Sequence, residues 1–153
     1  TLIRCMKILP QDYQLWLVGD GVRRQECEQL ARQLGVDERV KFWGVRTDVP
    51  RLLKTADVVV MSTHYEGMSL SNIEGMASGN PFLASNVKGI REITKGAGVM
   101  FEEDSDKQLA EIILQLMIDK AYRDEVVNRC LNRAKEYDVS KTAERNLTVY
   151  HSL

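Results

Sequence analysis

The sequence predicts an α/β fold, a parallel sheet with flanking helices, and three observations carry that reading. Short apolar runs alternate with amphipathic stretches, the pattern of strand–helix crossovers. Residues 58–61 are four consecutive apolar residues, three of them valine, which reads as a strand buried on both faces. Gly35 and Gly79-Asn80 close helical segments shortly before the next apolar run begins. The 153 residues amount to one domain, 1–153, with enough chain for a real core.

Taken in order, residues 1–9 read as a helix with Leu2, Cys5, Met6 and Leu9 on one face, ended by Pro10. Residues 13–18 are the first strand, and Gly19-Asp20-Gly21 turns into a helix whose apolar positions Cys27, Leu30, Ala31 and Leu34 keep the 3.6 period. The G-x-G is a weak dinucleotide signal, because Arg24 stands where the third glycine belongs. Residues 40–43 form a short strand, and a helix begins near Asp48-Val49-Pro50, with proline at its first turn. After strand 58–61 come a polar loop, 62–67, and a helix over 69–78 with Leu70, Ile73 and Ala77 at helical spacing. Strand 82–84, a short helix over 90–94 and strand 98–101 follow. Asp104-Ser105-Asp106 contains a D-x-D, a pair able to hold a divalent metal. It precedes an amphipathic helix carrying Leu109, Ile112, Ile113 and Leu116, so the expectation is a helix cap and no metal site. Helices over 122–136 and 140–150 complete the chain, the last with Ala143, Leu147 and Tyr150 on one face.

Composition narrows the function. Basic and acidic residues number 21 and 22, and a net charge of −1 gives no nucleic-acid signal. No apolar run approaches a membrane span, and no signal peptide is visible at Thr1, so a cytoplasmic location is expected. Cys5, Cys27 and Cys130 have neither metal nor disulfide spacing and read as small core residues.

The candidate site is the loop and helix after strand 58–61, where ligands of open α/β sheets bind. Glu66 and Glu74 mark it. Eight steps along one continuous helix would turn them about 80° apart, so one helix would not align them. With the helix starting near Ser69, Glu66 lies in the loop and Glu74 in the second turn, at the margin of the apolar stripe, where a carboxylate needs hydrogen-bond donors. Exposed N–H groups at the helix start form a site for an anion such as a phosphate. One arrangement uses all three: a sugar against Glu66, a diphosphate on the helix N-terminus, a ribose diol on Glu74. The plainer alternative is that Ser71-x-x-Glu74 is a capping box and Glu66 a solvated loop residue.

The run Tyr65-Glu66-Gly67-Met68-Ser69-Leu70-Ser71-Asn72-Ile73-Glu74-Gly75-Met76-Ala77-Ser78-Gly79-Asn80-Pro81 resembles the E-x7-E donor-site signature of group 1 glycosyltransferases of the GT-B fold. Leu15-Trp16-Leu17-Val18-Gly19-Asp20-Gly21, Val40-Lys41-Phe42-Trp43-Gly44, Ala56-Asp57-Val58-Val59-Val60 and Ala84-Ser85-Asn86-Val87-Lys88-Gly89-Ile90-Arg91-Glu92 are similar to that family in the expected order. The resemblance implies a Rossmann-like, carboxyl-terminal donor-binding domain with its first strand missing, a fragment of a two-domain enzyme. It implies retaining, metal-independent transfer of a hexosyl group from a UDP- or GDP-linked sugar to a saccharide or lipid-linked acceptor, with no cofactor. The acceptor would be held by a missing amino-terminal domain, and the full enzyme would sit peripherally at a membrane. Carried over by position, Glu66 meets sugar hydroxyls as the catalytic-site residue, the backbone of Gly67, Met68, Ser69 and Leu70 meets sugar and diphosphate, and Glu74 meets the ribose. The turn Gly44-Val45-Arg46 lies against the base. His64, in a loop beside a carboxylate, has the chemistry of a general base, but the resemblance gives that position no such duty, and it is read here as a wall of the donor site. The family's phosphate-binding Arg and Lys lie upstream of Thr1, so the chain alone is expected to be inactive. The missing strand is central in the family, so the sheet closes up, keeps a gap or borrows a strand. The competing classes are a fold-sharing epimerase or phosphorylase, for which no pyridoxal lysine or proton-transfer pair is evident, and a non-catalytic nucleotide-binding module.

Overall fold

The computed structural model describes residues 1–67 and 69–151, with the side chains of residues 142 and 145 left aside. The elements run α1 (Leu2–Cys5), β1 (Leu15–Val18), α2 (Arg24–Gln33), β2 (Val40–Gly44), α3 (Val49–Thr55), β3 (Val59–Met61), α4 (Leu70–Ala77), β4 (Phe82–Ser85), α5 (Lys88–Thr94), β5 (Val99–Phe101), α6 (Asp106–Ile118), α7 (Lys120–Ala134) and α8 (Val139–His151). All strand pairs are parallel, as crossover helices require. The fold is the parallel α/β arrangement that the alternating pattern predicts, and the Rossmann-like one that the resemblance implies.

The sheet comes in two parts. β1 pairs with β2, and β3–β4–β5 form a second ladder. Among the described residues no ladder joins β1 to β3, so of the three arrangements foreseen the sheet keeps a gap. This corrects the expectation for β3: Val59, Val60 and Met61 are each only half-buried, because β3 is an edge strand, while β4 beside it is buried throughout.

The core lies mainly around β4, with Phe82, Leu83 and Ala84 against Met76 of α4, Leu109 of α6 and Val126 of α7. α1 joins the two halves, packing against both α2 and α6. It is shorter than the helix expected over 1–9. After Cys5 the chain continues in turns, with three-residue bonds from Lys7 N–H to Arg4 O and Ile8 N–H to Cys5 O beside a four-residue bond from Leu9 N–H to Cys5 O, before Pro10 ends the segment. Arg39 then donates to the carbonyls of Met6 and Pro10 and ties the entry of β2 to that turn.

Two helical stripes differ from expectation. In α4 the buried residues are Asn72, Gly75 and Met76, whereas Leu70 is 73% exposed and Ala77 is exposed. Small and polar residues face inward there because the helix lies close against the strands. The face of α8 carrying Ala143, Leu147 and Tyr150 is exposed and finds no cover among the described residues.

Candidate functional site

The polar loop 62–67 leaves the carboxyl end of β3 and enters α4. Its first residues are fixed by Ser85 at the end of β4, whose hydroxyl accepts from the Thr63 amide at 3.0 Å and donates to the Thr63 carbonyl at 2.5 Å. The Thr63 hydroxyl in turn donates to the Tyr65 carbonyl at 2.9 Å. Glu66 follows, half-buried, and Gly67 is exposed. Met68, expected in the site, lies outside the described residues.

Ser69 is the N-cap of α4. It is 6% exposed, and its hydroxyl accepts from the Asn72 amide at 3.3 Å. That overturns the capping box Ser71-x-x-Glu74: with Ser69 as cap, the reciprocal position is Asn72, and Glu74 lies two residues further into the helix. Asn72 instead turns inward and donates to Thr94 of α5 at 3.4 Å, both residues being fully buried. Glu74 is exposed, and among the described residues its carboxylate has no donor. The donors expected for it at the margin of an apolar stripe are therefore not needed, since water serves. Among the described residues the amides of Gly67, Leu70 and Ser71 also find no acceptor. A carboxylate and a set of N–H donors thus stand open at the start of one helix, the combination that binds a ligand with both hydroxyls and negative charge.

An open cavity of about 590 Å³ adjoins the loop, lined by His64, Glu66, Gly67, Asn86, Lys88 and Glu92 among others. Glu74 and the turn 44–46 lie outside it. Asn86, Lys88 and Glu92 have no part in the sequence-based site; they fall in the stretch 84–92, whose resemblance to the family gave them no role.

The turn after β2 belongs to the other half-sheet. Gly44 has φ +64°, and its carbonyl accepts from the Gly19 amide at 2.8 Å, which brings the turns after β1 and β2 together. Val45 is 80% exposed. Arg46 makes two hydrogen bonds to Asp48, at 2.8 and 2.9 Å, and its guanidinium lies 5.4 Å from the centre of the Trp43 ring. Hydrogen bonding to Arg46 holds the Asp48 carboxyl below the usual carboxylate range. Arg46 is thereby committed to its own loop. At the Gly19-Asp20-Gly21 turn, Asp20 accepts from the Gly21 amide at 2.8 Å, and Arg24 pairs with both Asp20 and Glu28.

The D-x-D divides. Ser105 caps α6, accepting from the Gln108 amide at 3.3 Å, so the cap is the serine between the two aspartates. Asp106 sits in the first turn of α6. Asp104 accepts from the Thr1 hydroxyl at 2.9 Å and lies 3.7 Å from His64 Nε2. His64 Nδ1 lies 2.5 Å from Glu103. His64, Glu103 and Asp104 are all exposed, and their ligand atoms lie within 4.8 Å of one another, near enough to hold a metal ion. Asp104 thus faces Thr1 and His64, while Asp106 opens α6.

Comparison with known proteins gives this geometry a lineage. The family described as glycosyl transferases group 1 matches residues 1–119. Among curated relatives, the lipopolysaccharide core biosynthesis glycosyltransferase LpsD of Rhizobium meliloti is 34% identical over 125 residues, covering 80% of this chain and 36% of its own length. A glycosyltransferase of Methanocaldococcus jannaschii is 34% identical over 156 residues, covering 97% of this chain and 40% of its own. Among solved structures, Anabaena HepE in complex with UDP superposes with a TM-score of 0.92 at 25% identity, over 99% of this chain and 44% of HepE. Its complex with UDP-glucose gives 0.90 at 27% identity. The chain spans less than half the length of each of these relatives. With the signature loop at the carboxyl end of β3 and a family match over most of its length, the chain belongs to the group 1 glycosyltransferases of the GT-B fold.

Proposed function

We propose that this chain is the donor-binding domain of a retaining hexosyltransferase that takes a UDP- or GDP-linked sugar. The acceptor, a saccharide or a lipid-linked saccharide, would be held by a further domain. The observation that carries the reading is the open start of α4, with Glu66 and free amides in one loop, in a chain that superposes on HepE, a protein solved with UDP and with UDP-glucose. Glu66 accepts from sugar hydroxyls, the amides of Gly67 and Leu70 take the diphosphate, and Glu74 accepts from the ribose hydroxyls. The exposed turn Gly44-Val45-Arg46 lies along the base. Departure of the nucleoside diphosphate builds negative charge at the helix start, where preorganised N–H groups stabilise it without a metal. With Ser69 as the cap, Glu74 is free of any capping bond and open to a ligand.

Calorimetric titration with UDP and UDP-glucose tests the division of labour. Glu74→Ala should weaken both ligands about tenfold or more, since a hydrogen bond to a charged group contributes roughly 1.5–3 kcal/mol. Glu66→Ala should leave UDP binding unchanged and lower only the added affinity for UDP-glucose. Equal affinities for both ligands in the unsubstituted chain and both variants would refute the assignment. Metal independence is checked in the same cell: EDTA should leave UDP affinity unchanged, and a loss restored by magnesium would direct attention to His64, Glu103 and Asp104.

A further inference from the structure

The loop that carries Glu66 is shaped from outside, by the connection between β4 and α5. Ser85, 2% exposed, grips Thr63 at both its amide and its carbonyl. Four residues on, Gly89 lies in the first turn of α5 and its backbone abuts Glu66 directly. A Cβ built on Gly89 would sit 1.8 Å from the Glu66 carbonyl oxygen, 2.9 Å from its carbon and 3.1 Å from the Gly67 carbonyl oxygen. Gly89 has no positive φ, so its backbone conformation does not call for glycine. Alanine would also favour the helix. The close approach to Glu66 is what requires glycine there. Among the described residues neither the backbone nor the carboxylate of Glu66 makes a hydrogen bond of its own.

We propose that Gly89 and Ser85 are positioning residues for Glu66: the β4–α5 connection is the template against which the sugar-facing loop is set. Ser85 fixes the loop's start, and the bare backbone of Gly89 sets how deep Glu66 sits. The proposal rests on the reading that Glu66 faces the donor sugar. A methyl group at Gly89 must open the contact by about 1.2 Å, the difference between 1.8 Å and the roughly 3.0 Å below which a Cβ is essentially never found. Misplacement by about 1 Å is enough to cost on the order of 100-fold in rate where geometry governs the reaction.

The test uses the chain itself with Gly89→Ala, Glu66→Ala and the double variant, read by amide NMR and by titration with UDP and UDP-glucose. Gly89→Ala should shift the amide signals of residues 63–67 while leaving those of α6 and α7 in place. It should lower the affinity for UDP only as far as the Gly67 amide, which shares a peptide plane with the displaced Glu66 carbonyl, is moved. The added affinity for UDP-glucose should fall by up to the factor that Glu66→Ala loses, and the double variant should lose no more of that added affinity than Glu66→Ala alone. Unshifted loop amides, or a loss in the double variant equal to the product of the two single losses, would overturn the proposal, since a merely structural glycine would act independently of Glu66. Ser85→Ala, which adds no bulk, gives the same pattern if Gly89→Ala fails to fold. If the unsubstituted chain binds UDP-glucose no better than UDP, the sugar-facing reading of Glu66 fails. The loop amides still decide whether Gly89 sets the loop.

Discussion

Gly75→Ala sets two effects of opposite sign against each other. In an exposed helix the change would stabilise by about 1 kcal/mol, because alanine is the better helix former. Gly75 is buried where α4 crosses the edge of the sheet. A Cβ there would lie 2.6 Å from both Cδ2 and Cε2 of Phe82 and 3.3 Å from Cγ1 of Val59. The Phe82 ring, 1% exposed, has little room to retreat, because the space at Gly98 is equally tight: a Cβ on Gly98 would lie 3.0 Å from Phe82 Cδ1. Overpacking of this kind costs about 1–3 kcal/mol, so the clash should at least offset the helix gain and leave a net loss of about 1 kcal/mol. At roughly 2–4 °C per kcal/mol for a chain of this size, Tm should fall by a few degrees. Thermal and urea unfolding measure it, and Phe82→Leu supplies the control, since a smaller side chain there should return alanine to its normal helix advantage. A rise in Tm for Gly75→Ala in the unsubstituted chain would refute the packing argument.

Two further perturbations separate other claims. Ser69→Ala should cost about 1 kcal/mol by removing the α4 cap, whereas Ser71→Ala should change stability by no more than about 0.5 kcal/mol; melts in which Ser71 matters more than Ser69 would reverse the cap assignment. Burial pushes the Cys5 thiol up to about 11, so the unfolded chain releases this proton first as pH rises. Stability from this group is complete below about pH 8.5 and falls progressively to about pH 11, and the decline should be shallower in Cys5→Ala when urea unfolding is followed across that range.

The strand–helix alternation was legible because it rests on local periodicity and on punctuation by glycine and proline. Val49–Thr55 begins where Pro50 indicated, and Leu70–Ala77 falls inside the expected 69–78. Which face of a helix goes inward was less legible when the helix lies close to its sheet. Hydrophobicity pointed to Leu70 and Ala77, but close approach at Gly75 and the buried Asn72–Thr94 pair selected the opposite face. The half-burial of β3 could not be read from Val58–Val59–Val60 either, since being an edge depends on what pairs with the strand. In the candidate site, Glu66 and Glu74 stood out in the sequence through the run 65–81 in which they lie, while Ser85 and Gly89 did not. Their role depends on contacts 22 and 23 residues away in the chain, to Thr63 and Glu66, and a lone serine and glycine after a strand carry no pattern that reports such a contact.

The division of the sheet bears on how the site is assembled. The contacts that shape the start of the Glu66 loop and of α4 come from elements beside β3–β4–β5: Ser85 and Gly89 hold the loop, and Thr94 anchors Asn72. The turn 44–46 is organised within the β1–β2 half, by Gly19, Trp43 and Asp48. Between the halves run α1, packed on α2 and α6, and the Arg39 bonds to the turn that follows it. The Glu66 loop is therefore set by contacts around one ladder, and the turn 44–46 by contacts around the other. α1 is one of the elements that set their separation. A ligand reaching from Glu66 to Gly44 would draw binding energy from both halves and add to α1 a second link between them. Loosening α1 should for that reason weaken a ligand that spans the halves more than one held at the Glu66 loop alone.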